Sequence, residues 1–322
     1  MKAFVYDRYG PPDVLRCVEL PAPEPGPGEI LIRVRAASVT TADWRLRASA
    51  FPGLMWLIGR LMFGLFKPRN KVLGGDVAGD VVAVGPDVEG FAVGDPMFGH
   101  IGKGGYAEFA IAKTDGAIVP KPEDLTYVQA AALPFGALAA LVFLRDFAKL
   151  SDRQKVLVIG ASGNVGVYAV QIAKALGAHV TAVASGQNAD LVRSLGADDF
   201  VDYERRDPKL LDDRFDLVFD TFGALSFVDA RRALTPCGLF LPLNFKLGDV
   251  LMNRVFGSAR AQKMITAVNN DTRKDLDTVV NLVGNAQLQP VIDHVFPFDL
   301  LVAAHKHVEA RRRSGSVVIE LR

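Results

Sequence analysis

Three glycines, Gly160, Gly163 and Gly166, are evenly spaced within "VLVIGASGNVGVYAVQIAKALGAHVTAVAS", residues 156–185. They follow a continuous apolar run, "KVLVIG". They open a segment that places Val165, Ala169, Ile172 and Leu176 on one helical face, with Gly177 as its stop signal. A helix start leaves backbone N–H groups unpaired and carries partial positive charge, so it suits a phosphate. Gly163 would let the phosphate reach the main chain, Gly166 would let the helix lie close to the sheet, and Ser162 would add a hydroxyl donor. A glycine trio by itself is a weak signal. Here a buried-type strand precedes it, an amphipathic helix follows, and "HVTAVAS" supplies a second strand. That context predicts a dinucleotide site rather than a bare strand–helix turn.

The end of the second strand selects the nucleotide. A carboxylate there would bind a ribose 2′-hydroxyl and repel a 2′-phosphate. The chain has Ser185, Gly186, Gln187 and Asn188 instead, and Tyr203 closes the third strand with a phenol. Arg193, a stronger phosphate partner, lies further along the next helix. NADPH is therefore the expected cofactor, with NADH possible and discrimination modest.

These residues need a scaffold. The length of 322 residues, half of them hydrophobic, suits about two domains, each with its own core. Residues 1–125 carry short apolar or alternating runs, "EILIRVRAASV", "DVVAVG" and "YAEFAIAK", separated by turn clusters such as "PAPEPGPGE". That is the pattern of an irregular β domain. "MKAFVYDRYG" reads as its first strand rather than as a signal peptide. The alanine- and leucine-rich stretch after Leu125 predicts helix. From Lys155 strands and helices alternate: "KVLVIG", "HVTAVAS", "DDFVDY", "FDLVFD" and "GLFLPL" are the expected strands of a covered parallel sheet. "SGSVVIELR" is expected to be a strand that returns to the first domain.

The formal net charge of +1, with both signs mixed along the chain, argues against a nucleic-acid binder that works by bulk charge. Two distant cysteines, Cys17 and Cys237, argue against a disulfide framework and for a reducing cytoplasm. The oiliest segment, "FPGLMWLIGRLMFGLF", residues 51–66, is too short to span a bilayer and is interrupted by Pro52 and Arg60. Its Leu54, Ile58, Leu61 and Leu65 keep helical spacing. A packed helix or lid is expected there. Interfacial membrane contact, suggested by Trp56 and the following Lys67, Arg69 and Lys71, and a subunit contact are the lesser alternatives.

The chain resembles the medium-chain dehydrogenase/reductase superfamily, in its zinc-free quinone oxidoreductase-like branch. The resemblance runs through "PGPGEILIRVRAASV", "LGGDVAGDVVAVG", "GGYAEFA", "AAALPFGALAAL", "VLVIGASGNVG", "LVRSLGADDFVDY" and "RRALTPCGLF", in family order. It implies an α/β fold: a GroES-like β domain over 1–125, completed by 297–322, and a Rossmann doubly wound parallel-sheet domain over 126–296. It also implies an active cleft between them and a homodimer. By position, Ser162, Gly163, Asn164 and Val165 match the pyrophosphate loop. Ser185, Asn188 and Tyr203 match the 2′-phosphate side, and Phe222 and Leu243 match strand ends beside the nucleotide.

Zinc-dependent relatives carry Cys-x-x-Asp and Gly-His-Glu where this chain has "TTAD", residues 40–43, and "GGD", residues 74–76. Thr40 takes the Cys position, Gly75 the His position and Asp76 the Glu position, and neither Cys nor His stands near Pro134, where a third ligand would lie. Catalytic zinc needs three protein ligands, so no metal is expected. His305 and His307 form a close pair on different helical faces and read as solvated surface residues. The Tyr-x-x-x-Lys pair of short-chain reductases is absent.

Without a Lewis acid the chemistry must need less help. Quinones and α,β-unsaturated carbonyls accept hydride at a conjugated position, so a zinc-independent, NADPH-dependent reduction of one of these is the expected activity. Thr40, where relatives often carry Asn, is a candidate donor to a substrate oxygen, and Asp43 is a candidate proton carrier or loop acceptor. Trp44, Phe51 and Trp56 could form an aromatic wall or pack in the core. Ala139 and Ser316 replace a family Thr and Lys, which removes a donor and a charge. The alternatives are an NAD(P)-dependent aldehyde or ketone reductase, and a nucleotide-binding regulatory or membrane-associated protein with little turnover.

Overall fold

A computed structural model describes residues 1–51, 55–211, 213–245, 248–249, 252–253, 262–268 and 270–321. The chain divides into two compact units, one of residues 1–138, 271–282 and 290–322, the other of 139–270 and 283–289.

The first unit begins with β1 (Lys2–Val5), β2 (Arg16–Glu19) and the long β3 (Glu29–Val39). Two helices follow, α1 (Thr41–Ala48) and α2 (Met55–Phe63). Then come β4 (Asp76–Val84), β5 (Pro96–His100), β6 (Phe109–Lys113) and β7 (Ala117–Pro120). Helix α3 (Tyr127–Ala132) opens with a reciprocal Thr126–Gln129 cap, and α4 (Pro134–Val142) runs on into a π turn.

The second unit holds β8 (Lys155–Ile159), α5 (Asn164–Ala175), β9 (His179–Ala184), α6 (Ala189–Ser194) and β10 (Asp199–Asp202). It continues with β11 (Phe215–Asp220), α7 (Phe227–Ala233), β12 (Leu234–Pro242) and the short β13 (Lys263–Met264). Its sheet is parallel throughout, in the order β10-β9-β8-β11-β12-β13. This is the doubly wound arrangement, and the order reverses between β8 and β11. Apolar residues on both faces explain the unbroken oily strands: Leu157, Ile159, Val218, Phe227 and Phe240 belong to one core cluster.

The chain ends with α8 (Arg273–Gly284), β14 (Ile292–Pro297), α9 (Leu301–Glu309) and β15 (Ser316–Glu320). As expected for "SGSVVIELR", β15 returns to the first unit and pairs antiparallel with β3, Val317 opposite Val39. The sheet there runs β14-β15-β3-β4-β5-β7, with β6 also on β3. Its core includes Ile30, Ile32, Val77, Met97, Tyr106 and Ile319. The α/β architecture read from the sequence is present.

One expectation is corrected. His307 reaches the surface and pairs with Asp293, but His305 is fully buried and neither ring nitrogen has a protein partner. It lies edge-on to Tyr106, and burial, with Arg47 nearby, pushes its ring down to about 3, so it is a neutral core residue. The reason is helical phase: Leu301, Ala304, His305 and Val308 form the buried stripe of α9.

Candidate functional site

The glycine turn sits at the carboxyl end of β8, where the strand order reverses. Gly160 takes a left-handed φ of 75°, and its N–H and that of Ala161 both reach the Val183 carbonyl of β9. Thr221, at the end of β11, bonds the Ile159 carbonyl through its N–H and its hydroxyl. The turn is thus tied to both neighbouring strands. Gly163 is the N-cap of α5 and supplies no side-chain cap. A Cβ at Gly163 would meet the Gly160 carbonyl at 3.3 Å and no other atom beyond its chain neighbours within 4 Å, so the space on that side of Gly163 is otherwise open. A Cβ at Gly166 would meet that carbonyl at 2.1 Å and Ala161 Cα at 2.7 Å, which explains glycine at the point of closest packing. Asn164 and Val165 begin α5 and are buried, while Ser162 is half-buried at the turn.

At the end of β9, Asn188 donates its amide to the Ser185 hydroxyl at 2.9 Å, and Tyr203 is held beside Ala184 by its backbone N–H with its ring 52 % exposed. Arg193 does not turn this way; it lies over Phe200. A carboxylate missed in the sequence stands here: a Cβ on Gly186 would be 2.7 Å from Asp202 Oδ2. Parallel pairing of β10 with β9 sets Asp202 opposite Ala184. Arg205 partners that carboxylate at 3.4 Å. Beyond β11, buried Asp220 accepts from the N–H groups of Phe222, Gly223 and Leu225, and its backbone carbonyl accepts from Leu243 N–H. Burial raises its carboxyl while those bonds oppose the rise. Asp220 therefore shapes the loop that carries Phe222, whose ring is 46 % exposed.

In the first unit, Thr40 and Asp43 are brought together as the capping box of α1. The Thr40 hydroxyl donates to Asp43 Oδ2 at 2.6 Å and accepts from Asp43 N–H, and Asp43 also accepts from the Thr40 and Gly74 N–H groups. Both side chains are buried. Burial raises the Asp43 carboxyl, opposed by those hydrogen bonds. The Thr40 proton is committed to Asp43, so the donor role toward a substrate oxygen is not what this geometry offers. The signal was in the sequence, since Thr-x-x-Asp before a helix is a capping signature.

Sequence reasoning also missed His100. Antiparallel pairing of β4 and β5 sets it opposite Asp76, and its Nδ1 donates to Asp76 Oδ1 at 2.6 Å. The second Asp76 oxygen accepts from the Ser38 hydroxyl and Phe135 N–H. Burial opposes a charged ring, yet the bond and charge of Asp76, with Asp271 and Asp43 beyond, hold the imidazole up at about 9. Asp76 is 1 % exposed and the His100 ring 31 %, so the ring edge away from Asp76 can meet solvent or ligand. A cavity of about 640 Å³ is lined by His100, Gly102, Lys103 and Asp271 among others. A Cβ on Gly75 would be 2.7 Å from His100 Cε1, so glycine there makes room for the ring.

The three aromatic candidates separate. Trp44 packs on the core, Phe51 stacks on Phe63 at 5.9 Å, and Trp56 points outward. Ser316 donates to the Ala132 carbonyl, a buried structural bond, and Ala139 is buried in α4.

Comparison with known proteins identifies the family. Residues 26–123 match the alcohol dehydrogenase GroES-like domain, and residues 195–319 match the zinc-binding dehydrogenase family. The chain is 30 % identical to the chloroplastic quinone-oxidoreductase QR1 of Triphysaria versicolor, over 99 % of this chain and 98 % of that one. It is 32 % identical to the mitochondrial NAD(P)H oxidoreductase RTN4IP1 of Mus musculus, over all of this chain and 89 % of that one. The chain belongs to the medium-chain dehydrogenase/reductase superfamily, in its quinone-oxidoreductase-like branch. Among solved structures, the quinone oxidoreductase of Coxiella burnetii superposes with a TM-score of 0.88 at 29 % identity, covering 100 % of this chain and 99 % of that one.

Zinc-dependent members of the superfamily raise the question of a metal, and the donor set answers it. At the three positions compared, Thr40 is spent on Asp43, Gly75 has no side chain, and Asp76 is engaged by Ser38, His100 and Phe135. These residues do not fit zinc. Among the described residues no group of three or more His, Cys, Asp or Glu could hold a metal ion.

Proposed function

We propose that this chain reduces quinones or α,β-unsaturated carbonyls with NADPH and without a metal. That it is an NAD(P)H-dependent oxidoreductase follows from its branch of the superfamily. The observation that carries the nucleotide reading is the open helix start at Gly163, framed by a turn already tied to β9 and β11. Gly160, Ser162, Gly163, Asn164, Val165 and Gly166 would hold the diphosphate through backbone N–H groups and the Ser162 hydroxyl. Ser185, Asn188 and Tyr203 would meet the 2′-phosphate, with Arg205 offsetting Asp202, and Phe222 and Leu243 would lie along the nucleotide. The coenzyme, when bound, supplies a hydride.

His100 is proposed as the proton donor. A reduced quinone or enone gathers negative charge on its oxygen and needs one proton. The His100 Nε2–H donates it, Asp76 holds the ring in place through Nδ1, and water restores the proton. Thr40 and Asp43 position the loop beside Gly74. The charged imidazole also favours a second reading, reduction of aldehydes or ketones, since it could polarise an isolated carbonyl. NADPH consumption against a panel of quinones, enones and aldehydes tests both. Quinone or enone turnover supports the first, aldehyde turnover alone the second, and NADPH binding with no turnover removes both.

Ser185→Glu is expected to weaken NADPH at least about tenfold, because a second carboxylate would face the phosphate, while NADH is retained. Calorimetric titration with both coenzymes measures this, and an unchanged NADPH affinity would move the phosphate elsewhere. The end strand β13 pairs only with β12 among the described residues, and a second copy pairing along that side would give the homodimer. Free, exposed Cys17 and Cys237 suit a reducing compartment such as the cytoplasm. Among the described residues no helix is long and apolar enough to cross a membrane.

A further inference from the structure

The oily segment holds a surface that the reductase chemistry leaves unused. Helix α2 faces inward through Phe63, which stacks on Phe51, and through Gly59, where a Cβ would be 2.5 Å from the Phe51 ring. Its outer side is apolar and uncovered: Trp56, Leu57, Ile58, Leu61 and Met62 are 42–61 % exposed. The following turn extends the patch with Leu65 and with Phe66, which is 87 % exposed. Scattered exposed apolar residues are ordinary, but a contiguous patch of this kind marks a contact.

The patch is built, not frayed. Arg60 lies over the Tyr9 ring at 4.0 Å and over Trp56 at 5.2 Å, and donates to the Leu65 carbonyl. The Tyr9 hydroxyl donates to the Gly64 carbonyl, Arg69 to the Met62 carbonyl, and Arg69 N–H to the Phe63 carbonyl. These bonds fix the turn after α2 so that Leu65 and Phe66 project.

Charge decides the occupant. No Asp or Glu occurs between Asp43 and Asp76, whereas Arg60, Lys67, Arg69 and Lys71 all fall there. Lys103 joins them through its bond to Asn70. Asp7 pairs with Lys71 and with Arg16, and Asp115 and Asp271 line the cavity that Arg69, Lys71 and Lys103 also line. An apolar face with an outward tryptophan and a basic border complements lipid tails beneath anionic headgroups. We infer that α2 and residues 64–71 lie on the surface of an anionic phospholipid bilayer, with the apolar side chains in the interface and the lysines and arginines at the headgroups.

The chain has two tryptophans, so Trp44→Phe leaves Trp56 as the reporter in the full-length protein. On phosphatidylcholine vesicles containing phosphatidylglycerol, its emission should shift to the blue and the protein should sediment with the vesicles. Partition should be about tenfold above that on pure phosphatidylcholine and should fall with added salt. Leu61→Glu with Phe66→Glu should abolish both signals, Lys67→Glu should weaken them, and both variants should keep NADPH binding and turnover of a water-soluble acceptor. No shift on anionic vesicles overturns the inference. So does equal binding to neutral vesicles, or a blue shift on raising protein concentration alone with a doubled mass, which would give the face to a second copy.

Discussion

Exchanging His100 for glutamine is expected to lower kcat/KM for quinone or enone reduction about 10²-fold, with NADPH affinity unchanged by titration. Glutamine can still accept a place against Asp76, but it cannot surrender a proton. The pH profile separates this from simple damage. In the parent protein, the rate should fall as pH rises through about 9, where the imidazole loses its charge. His100→Gln should lack that limb, and Asp76→Asn should move it to lower pH, because the charge that holds the proton has gone and burial remains. Stability carries the same signature. The folded pKa lies above the ordinary 6.5, so the charged pair stabilises fully below 6.5 and its contribution is lost as pH climbs through about 9. Thermal melts across that window should slope downward in the parent protein and flatten in His100→Gln. A variant that keeps both the rate and its alkaline limb would show that the proton comes from elsewhere. If instead no acceptor turns over in the parent, the substrate class is what has failed, and the melts still report on the pair.

The glycine turn was legible as a strand–turn–helix because its requirements are local. Strand, turn and helix start lie within one short stretch, and the tight turn leaves its mark as the left-handed Gly160 and the closely packed Gly166. The last strand was legible from its β-branched run Val317, Val318 and Ile319, and it returns to the first unit beside β3 as expected. His100 was not. It meets Asp76 only through the β4–β5 register, and a one-residue slip would have sent the ring to the other face of the sheet. Asp202 escaped notice for the same reason, since only parallel pairing with β9 brings it beside Gly186. Thr40 and His305 differ from these. Their signals are local: Thr-x-x-Asp ahead of a helix caps it, and the apolar stripe of Leu301, Ala304 and Val308 takes His305 inward with it.

Two alanines in the glycine turn should behave in opposite ways, and the contrast tests the nucleotide reading. At Gly166, a Cβ would sit 2.1 Å from the Gly160 carbonyl and 2.7 Å from Ala161 Cα. Both are backbone atoms of a turn pinned to β9 and β11, so neither can step aside, and α5 must shift instead. Overpacking of this kind costs roughly 1–3 kcal/mol, only partly offset by the better helix propensity of alanine, about 1 kcal/mol. Gly166→Ala should therefore lower the melting temperature and weaken NADPH together, the latter by roughly 10- to 100-fold as the N–H groups of α5 leave their places. At Gly163, the backbone is extended, with φ −73°, a conformation alanine adopts, and its Cβ has one neighbour, the same Gly160 carbonyl, at 3.3 Å, a contact tight by only a few tenths of an ångström. Gly163→Ala should lower the melting temperature far less than Gly166→Ala and still weaken NADPH by at least about tenfold, because the methyl group would fill the space proposed for the diphosphate at the helix start. Calorimetric titration and thermal melts on both variants read the two quantities separately. Should Gly163→Ala bind NADPH as the parent does, the coenzyme does not rest its diphosphate against this turn.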